Sequence, residues 1–207
     1  MNKLMNKLIK KIVTEFGKAH IHWGIGGSQL LKFYGITETV NDLDLLIALE
    51  DIDAALLVLD SLGKRIEIPH KSEYITESFT RFQIDGIEVD VMANFKIEHE
   101  AGIYDFQFDK STKVKTVIVD EVPFPLTSLE EWYIAYLLMK DRDSKVGMIE
   151  AYLLKQKQID LGLLMNRMHQ GIPIEVLLRI NRLVIEVRES MDEKELESHP
   201  YDGLYKD

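Results

Sequence analysis

A pair of glycines between two strand-like runs constrains the fold of this 207-residue chain more than any other feature. Residues 20–25 alternate as a short strand does, and Gly26 and Gly27 interrupt that pattern. A helical pattern starts directly afterwards, and we predict Ser28 as its N-cap. Residues 42–48 then have the composition of a second, buried strand. A strand, a glycine turn, a helix and another strand in this order predict an α/β architecture.

Three aspartates are associated with the predicted strands. Asp42 and Asp44 open the second strand, and because side chains on a strand alternate between its two faces, both point the same way. Asp90 lies in a later apolar run at 87–92, so three carboxylates converge if that run neighbours the second strand. Clustered carboxylates repel one another, and a divalent cation such as Mg²⁺ or Mn²⁺ relieves the repulsion. The pattern therefore predicts a metal site suited to in-line displacement at phosphorus.

The glycine turn supplies the second part of such a site. Gly26 and Gly27 have no side chain to obstruct phosphate oxygens, and Ser28 adds a hydroxyl and a backbone N–H. We predict these three residues as a nucleotide-binding segment.

The predicted secondary structure of the remaining chain changes near residue 123. Asp85-Gly86 between two β-like runs predicts a two-residue hairpin, whereas helical patterns dominate after Pro123 and Pro125. A lysine-rich amphipathic helix is expected at 3–18, its apolar face docked and its lysines in solvent. The resulting prediction is a catalytic domain at 1–123, a helical domain at 124–191 and an acidic tail at 192–207.

Composition narrows the classes of partner. A net charge of −10 disfavours large nucleic acids, whose phosphates it repels. No run of 18 apolar residues and no secretion-signal pattern are present, so we expect neither membrane insertion nor export. The chain has no cysteine, which excludes disulfides and thiolate metal sites and fits a cytoplasmic location.

Together the motifs resemble the polymerase-β-like nucleotidyltransferase superfamily. In that pattern a Gly-Gly or Gly-Ser turn precedes an Asp-x-Asp strand, and a third carboxylate follows on a later strand. Here Gly26-Gly27-Ser28 is followed by thirteen residues, then Asp42-Leu43-Asp44, and finally Asp90. The helical half more loosely resembles stand-alone bacterial members, both abortive-infection toxin-like transferases and antibiotic nucleotidyltransferases.

The resemblance implies an α/β (α+β) fold, with a mixed sheet flanked by helices and a C-terminal helical bundle. It also implies a Mg²⁺- or Mn²⁺-dependent enzyme that transfers a nucleoside monophosphate from a nucleoside triphosphate such as ATP to a hydroxyl acceptor. The acceptor would be a small molecule such as an antibiotic, or a tRNA or protein in a toxin-like role. In this picture Asp42, Asp44 and Asp90 hold the metals and Asp90 can act as a base.

The second half departs from the toxin-like pattern. Arg142 is retained, but the lysine–aspartate order that often follows is not, and Tyr136 stands where a lysine is often found. Lys140, Arg142 and Lys145 remain the predicted phosphate-neutralising residues. The departure leaves open a module of the same fold that binds a nucleotide or a protein partner, such as an antitoxin, without turnover. A third hypothesis is an unrelated α/β protein with coincidental motifs.

Overall fold

The computed structural model describes residues 3–67, 75–157 and 159–191. The chain forms two compact units. Among the described residues, the first comprises 3–67, 75–97 and 105–129, and the second comprises 98–104, 130–157 and 159–191. The predicted acidic tail at 192–207 lies outside the described residues. Among the helices within the described ranges, none is both long and apolar enough to cross a membrane.

Within its described residues, the first unit is built on a seven-stranded mixed sheet. Its strands are β1 (Trp23–Ile25), β2 (Asp42–Ile47), β3 (Lys64–Ile66), β4 (Ser78–Ile84), β5 (Ile87–Ala93), β8 (Lys115–Val119) and β9 (Val122–Leu126); β6 (Lys96–His99) and β7 (Gly102–Asp105) form a separate two-stranded sheet. The order across the large sheet is β3-β4-β5-β2-β1-β9-β8. The pairs β2–β5 and β1–β9 are parallel, and the other neighbours are antiparallel. The predicted mixed sheet is confirmed.

Three helices accompany this sheet: α1 (Lys3–Lys18), α2 (Gly27–Phe33) and α3 (Ile52–Leu62). Helix α1 contacts β9 and α3, and it buries one apolar face while Lys7 and Lys11 remain exposed. The predicted docked stripe with a solvated lysine face is therefore observed. The buried residues of the stripe are Met5, Leu8, Ile9, Ile12 and Phe16.

The hairpin at Asp85-Gly86 forms as predicted. Both residues have positive φ, 50° and 82°, which is the geometry that two-residue hairpins require. Their turn fixes an antiparallel register along the whole of β4 and β5, from Ile84↔Ile87 to Ser78↔Ala93. This register decides which β4 side chain lies beside each β5 residue.

The two prolines near residue 123 lie inside strand β9 rather than beyond the last strand. Prolines are ordinarily confined to edge strands because they cannot donate a ladder hydrogen bond. Within the described residues, β9 is in register with β1 only at Leu126, opposite Ile25, whereas Pro123 and Pro125 are in register with β8 alone. This part of β9 therefore behaves as an edge.

The second unit is largely helical within its described residues. Its core buries aromatic and aliphatic side chains such as Tyr133, Ile149 and Ile180. It also buries one charged group: Glu131 is 2% exposed, its carboxylate accepts a hydrogen bond from Tyr104, and the Arg167 Nε donates to it at 2.5 Å. The helices are α4 (Leu129–Leu138), α5 (Asp143–Gln156), α6 (Leu161–Met168) and α7 (Ile174–Glu189).

Candidate active site

The register between β2 and β5 sets four carboxylates side by side. These strands pair in parallel, with Asp42 opposite Glu88 and Asp44 opposite Asp90. Cross-strand partners point to the same face of a sheet, so the four acidic side chains share one face. The residues between them, such as Leu43 and Val89, are fully buried on the other face. Because the apolar face of these strands must be buried, the acidic face is held at one fixed position on the sheet.

Three of these carboxylates are close enough to share a metal ion. Asp42, Asp44 and Asp90 can each offer one oxygen such that all three oxygens lie within 4.8 Å of one another. Asp90 is only 6% exposed, while Asp42 and Asp44 are partly exposed. Oxygen donors of this number and charge are the ligands that Mg²⁺ and Mn²⁺ prefer. The donor set therefore fits a divalent metal site.

The glycine turn lies against the same aspartate. The Gly26 N–H donates to the main-chain carbonyl of Asp44 at 2.9 Å. Gly27 has a φ of +56°, and a Cβ added to it would lie 1.7 Å from the Asp44 Oδ2. Only glycine leaves room for the Asp44 carboxylate where it stands. The turn and the carboxylates are thus parts of one constellation.

The position of Ser28 corrects one detail of the sequence analysis. Helix α2 already begins at Gly27, and Gly26 occupies the N-cap without a side-chain cap. Ser28 is consequently buried within the first turn rather than serving as the N-cap. The helix starts there because the Gly26 carbonyl already accepts a hydrogen bond from the Leu30 N–H at 3.0 Å.

Sequence reasoning missed Arg81, which contacts this cluster directly. Arg81 lies opposite Asp90 in the β4–β5 register. Its Nε and Nη2 donate to the two oxygens of Asp90 at 2.5 Å and 2.7 Å, and its Nη1 is 3.0 Å from Glu88. Hydrogen bonding to Asp90 raises the pKa of Arg81 above its usual value. The signal was present in the sequence, because a two-residue turn at Asp85-Gly86 places residue 81 opposite residue 90.

The predicted basic residues belong to the second unit. Lys140 is exposed after α4, and Arg142 directly precedes α5. The Arg142 Nε is buried and has no hydrogen-bond partner within the described residues. The Lys145 Nζ lies 4.8 Å from the ring centroid of Tyr136. Their participation in nucleotide binding stays a prediction.

His22, beside the glycine turn, makes contacts that stabilise the fold. Its Nε2 lies 3.0 Å from the carbonyl oxygen of Thr112, and its ring stacks on Phe108. Its backbone N–H donates to Asp51, which also pairs with Lys110 at 2.8 Å. Burial works to raise the pKa of Asp51, but the hydrogen bonds from Lys110 and His22 outweigh it and hold that pKa below its usual value. These contacts tie the segment after β7 to the start of β1.

Comparison with known proteins gives a match at the level of structure. The sequence matches no protein-family model and no curated protein. A candidate nucleotidyltransferase from Thermotoga maritima superposes with a TM-score of 0.54 at 20% identity, covering 76% of this chain and 93% of that chain. The solution structure of the antibiotic-resistance factor ANT(2″)-Ia gives a TM-score of 0.54 at 13% identity, covering 96% and 100% of the two chains.

A crystal structure of ANT(2″)-Ia in complex with adenylyl-2″-tobramycin is also similar, with a TM-score of 0.51 at 12% identity and coverage of 88% and 96%. This chain has the nucleotidyltransferase fold. The superposition spans most of each chain, so the match is not limited to the central sheet. The predicted fold class is confirmed. At these sequence identities the structural similarity shows the fold alone.

Proposed function

We propose that this protein is a Mg²⁺- or Mn²⁺-dependent nucleotidyltransferase, which transfers a nucleoside monophosphate from a nucleoside triphosphate to a hydroxyl acceptor. The observation that carries the proposal is the approach of three carboxylate oxygens to within 4.8 Å on adjacent parallel strands. The Gly26-Gly27 turn against Asp44 supports it, because a fold of this kind needs backbone close to both metal and phosphate. Chemistry and fold thus point to the same reaction class.

Each residue has a proposed role. Asp42, Asp44 and Asp90 hold the divalent ions, which supply charge neutralisation at the reacting phosphate when bound. Asp90 also accepts the proton of the acceptor hydroxyl as its oxygen attacks the α-phosphorus. The new oxygen–phosphorus bond forms while the bond to pyrophosphate breaks on the opposite side. The chain's contribution is therefore mainly positioning and electrostatics.

The remaining predicted residues are proposed to bind the nucleotide. Gly27 and Ser28 contact the triphosphate through their backbone N–H groups and the serine hydroxyl, while Gly26, whose N–H donates to Asp44, has no side chain to obstruct the phosphates. Lys140, Arg142 and Lys145 neutralise its negative charge from the helical part of the chain. The crystal structure of ANT(2″)-Ia is of a complex with adenylyl-2″-tobramycin. The protein's net charge of −10 favours a small-molecule acceptor over a large nucleic acid.

A second candidate function is a non-catalytic module that binds a nucleotide or a protein partner. The observation that favours it is the Arg81–Asp90 ion pair, which already supplies one positive charge to the carboxylate cluster. A module of this kind would bind its ligand without requiring a divalent ion at Asp42 and Asp44.

Calorimetric titration separates the two functions. Each of the four nucleoside triphosphates is titrated with Mg²⁺ and with chelator, on the wild type and on Asp42→Asn/Asp44→Asn. The transferase predicts metal-dependent binding of at least one nucleotide, with affinity falling at least about tenfold in the double variant because two metal ligands are lost. In that case the bound nucleotide identifies the donor for the acceptor search. Binding that survives both chelator and the double substitution supports the module instead.

A further inference from the structure

Arg81 and the acidic cluster form an arrangement that the proposed reaction does not by itself explain. The two bonds from Arg81 engage both oxygens of Asp90, and this parallel two-bond geometry is the strongest form of arginine–carboxylate pairing. The pair is also shielded from solvent, since the Arg81 side chain is 27% exposed and that of Asp90 is 8% exposed. Asp90 therefore already has a close counterion when no metal is bound.

Glu88 gives Arg81 a second anchor on the same face. The Arg81 Nη1 lies 3.0 Å from the Glu88 Oε2, and Glu88 stands opposite Asp42 in the neighbouring strand. The guanidinium thus bridges two acidic residues of β5 that are two positions apart. If one Asp90 oxygen turns to a metal ion, Glu88 still holds the guanidinium beside the cluster.

We propose that Arg81 is a positioning residue that acts as the resident counterion of Asp90 and so couples divalent-ion binding to the arrival of the nucleotide. This inference rests on the proposed function. A divalent ion that binds Asp90 must share it with a guanidinium a few ångströms away, and like charges at that distance in a partly buried site repel strongly. The triphosphate brings the negative charge that offsets this repulsion. Metal binding alone is consequently weak, and metal binding with nucleotide is strong.

A second arginine provides a matched control. Arg65 of β3 pairs with Asp60 through the same two-bond geometry, at 2.8 Å and 2.7 Å. Arg65 is opposite Phe82, the neighbour of Arg81 along β4, so it lies on the other face of the sheet. Its substitution removes a comparable arginine–carboxylate pair without touching the carboxylate cluster.

The test is calorimetric titration of Mn²⁺ into the wild type, Arg81→Gln, Arg81→Lys and Arg65→Gln, each with and without a non-hydrolysable nucleoside triphosphate. Without nucleotide, Arg81→Gln is expected to bind Mn²⁺ about tenfold more tightly than the wild type, because the competing charge is gone. Arg81→Lys, which keeps the charge, and Arg65→Gln are expected to stay within about threefold of the wild type. With nucleotide, the advantage of Arg81→Gln should shrink to less than about threefold.

The sign of the change separates this role from a structural one. A residue that merely braces the sheet or aligns Asp90 would, on removal, weaken Mn²⁺ binding, and an equal or weaker affinity in Arg81→Gln would overturn the inference. If Arg81→Gln does not fold, Arg81→Met offers a second neutral replacement with the same expectation. Nucleotide-dependent Mn²⁺ binding that is identical in all variants would overturn this inference alone. Absence of Mn²⁺ binding in every form would overturn the proposed function with it.

Discussion

Gly27→Ala is expected to fold normally and to lose nucleotidyl transfer by about a thousandfold, the loss that several kcal/mol of metal-based transition-state stabilisation corresponds to. The added Cβ would lie 1.7 Å from the Asp44 Oδ2, a distance that two non-bonded atoms cannot occupy. The atom that must move is the end of a side chain, so the Asp44 carboxylate turns away while the backbone is retained. The proposed metal site would then lack one of its three ligands. Transfer of a labelled nucleotide, together with Mn²⁺ affinity, measures the effect.

Gly35→Ala is the matched control for this variant. Gly35 also has a positive φ, +70°, but a Cβ at that position meets no atom within 4 Å. Both alanines therefore carry a similar backbone strain of about 1 kcal/mol, and only the one at position 27 disturbs Asp44. Full activity in Gly27→Ala, with Gly35→Ala also active, would show that Asp44 is not required where it stands.

Arg167→Met is expected to destabilise the second unit by about 3–5 kcal/mol, because it removes the arginine that pairs with the buried Glu131 carboxylate. Glu131 is 2% exposed, and the Arg167 Nε donates to it at 2.5 Å. The hydrogen bond from Tyr104 remains but supplies no charge. Urea unfolding monitored by tryptophan fluorescence measures the loss, since Trp132 lies next to Glu131 in α4.

Two further variants test whether loss of the buried ion pair causes this destabilisation. Arg167→Met combined with Glu131→Gln also removes the buried negative charge and is expected to recover part of the stability. Arg182→Met breaks the exposed pair with Glu186 within α7 and should leave stability nearly unchanged. A loss in Arg167→Met no larger than that in Arg182→Met would contradict the assignment of a buried ion pair.

The part of the site that the sequence predicted is the part set by local rules. Strand periodicity placed Asp42 and Asp44 on one face, and the glycine pair marked the turn beside them. Asp90 joined them because its strand became the parallel neighbour of β2, which the sequence could state only as a condition. Strand adjacency is decided by the packing of the whole sheet, and local patterns do not encode it.

Other features depended on contacts distant in sequence. The sequence pattern did not predict a strand containing the two prolines of β9, because propensity alone does not reveal that only Leu126 is in register with β1. The residues around Ala101 belong with the helical unit because the backbone of Gly171 approaches them so closely that a Cβ there would lie 2.7 Å from the Ala101 carbonyl oxygen. Neither the pattern near residue 101 nor that near residue 171 indicates this approach by itself.

Arg81 shows the opposite situation, in which local information was sufficient. The turn at Asp85-Gly86 sets the hairpin register by local geometry alone, and this register places Arg81 beside Asp90. Following a predicted hairpin residue by residue therefore identifies the cross-strand neighbour of a candidate metal ligand.

The most direct test of the central claim is an anomalous-difference map from crystals grown with Mn²⁺ and a non-hydrolysable nucleoside triphosphate. We predict a manganese peak about 2.1 Å from carboxylate oxygens of Asp42, Asp44 and Asp90, with the triphosphate bound to the same ion. A bound triphosphate with no peak at these three aspartates, or with manganese only elsewhere in the molecule, would contradict the assignment of this cluster as the catalytic metal site.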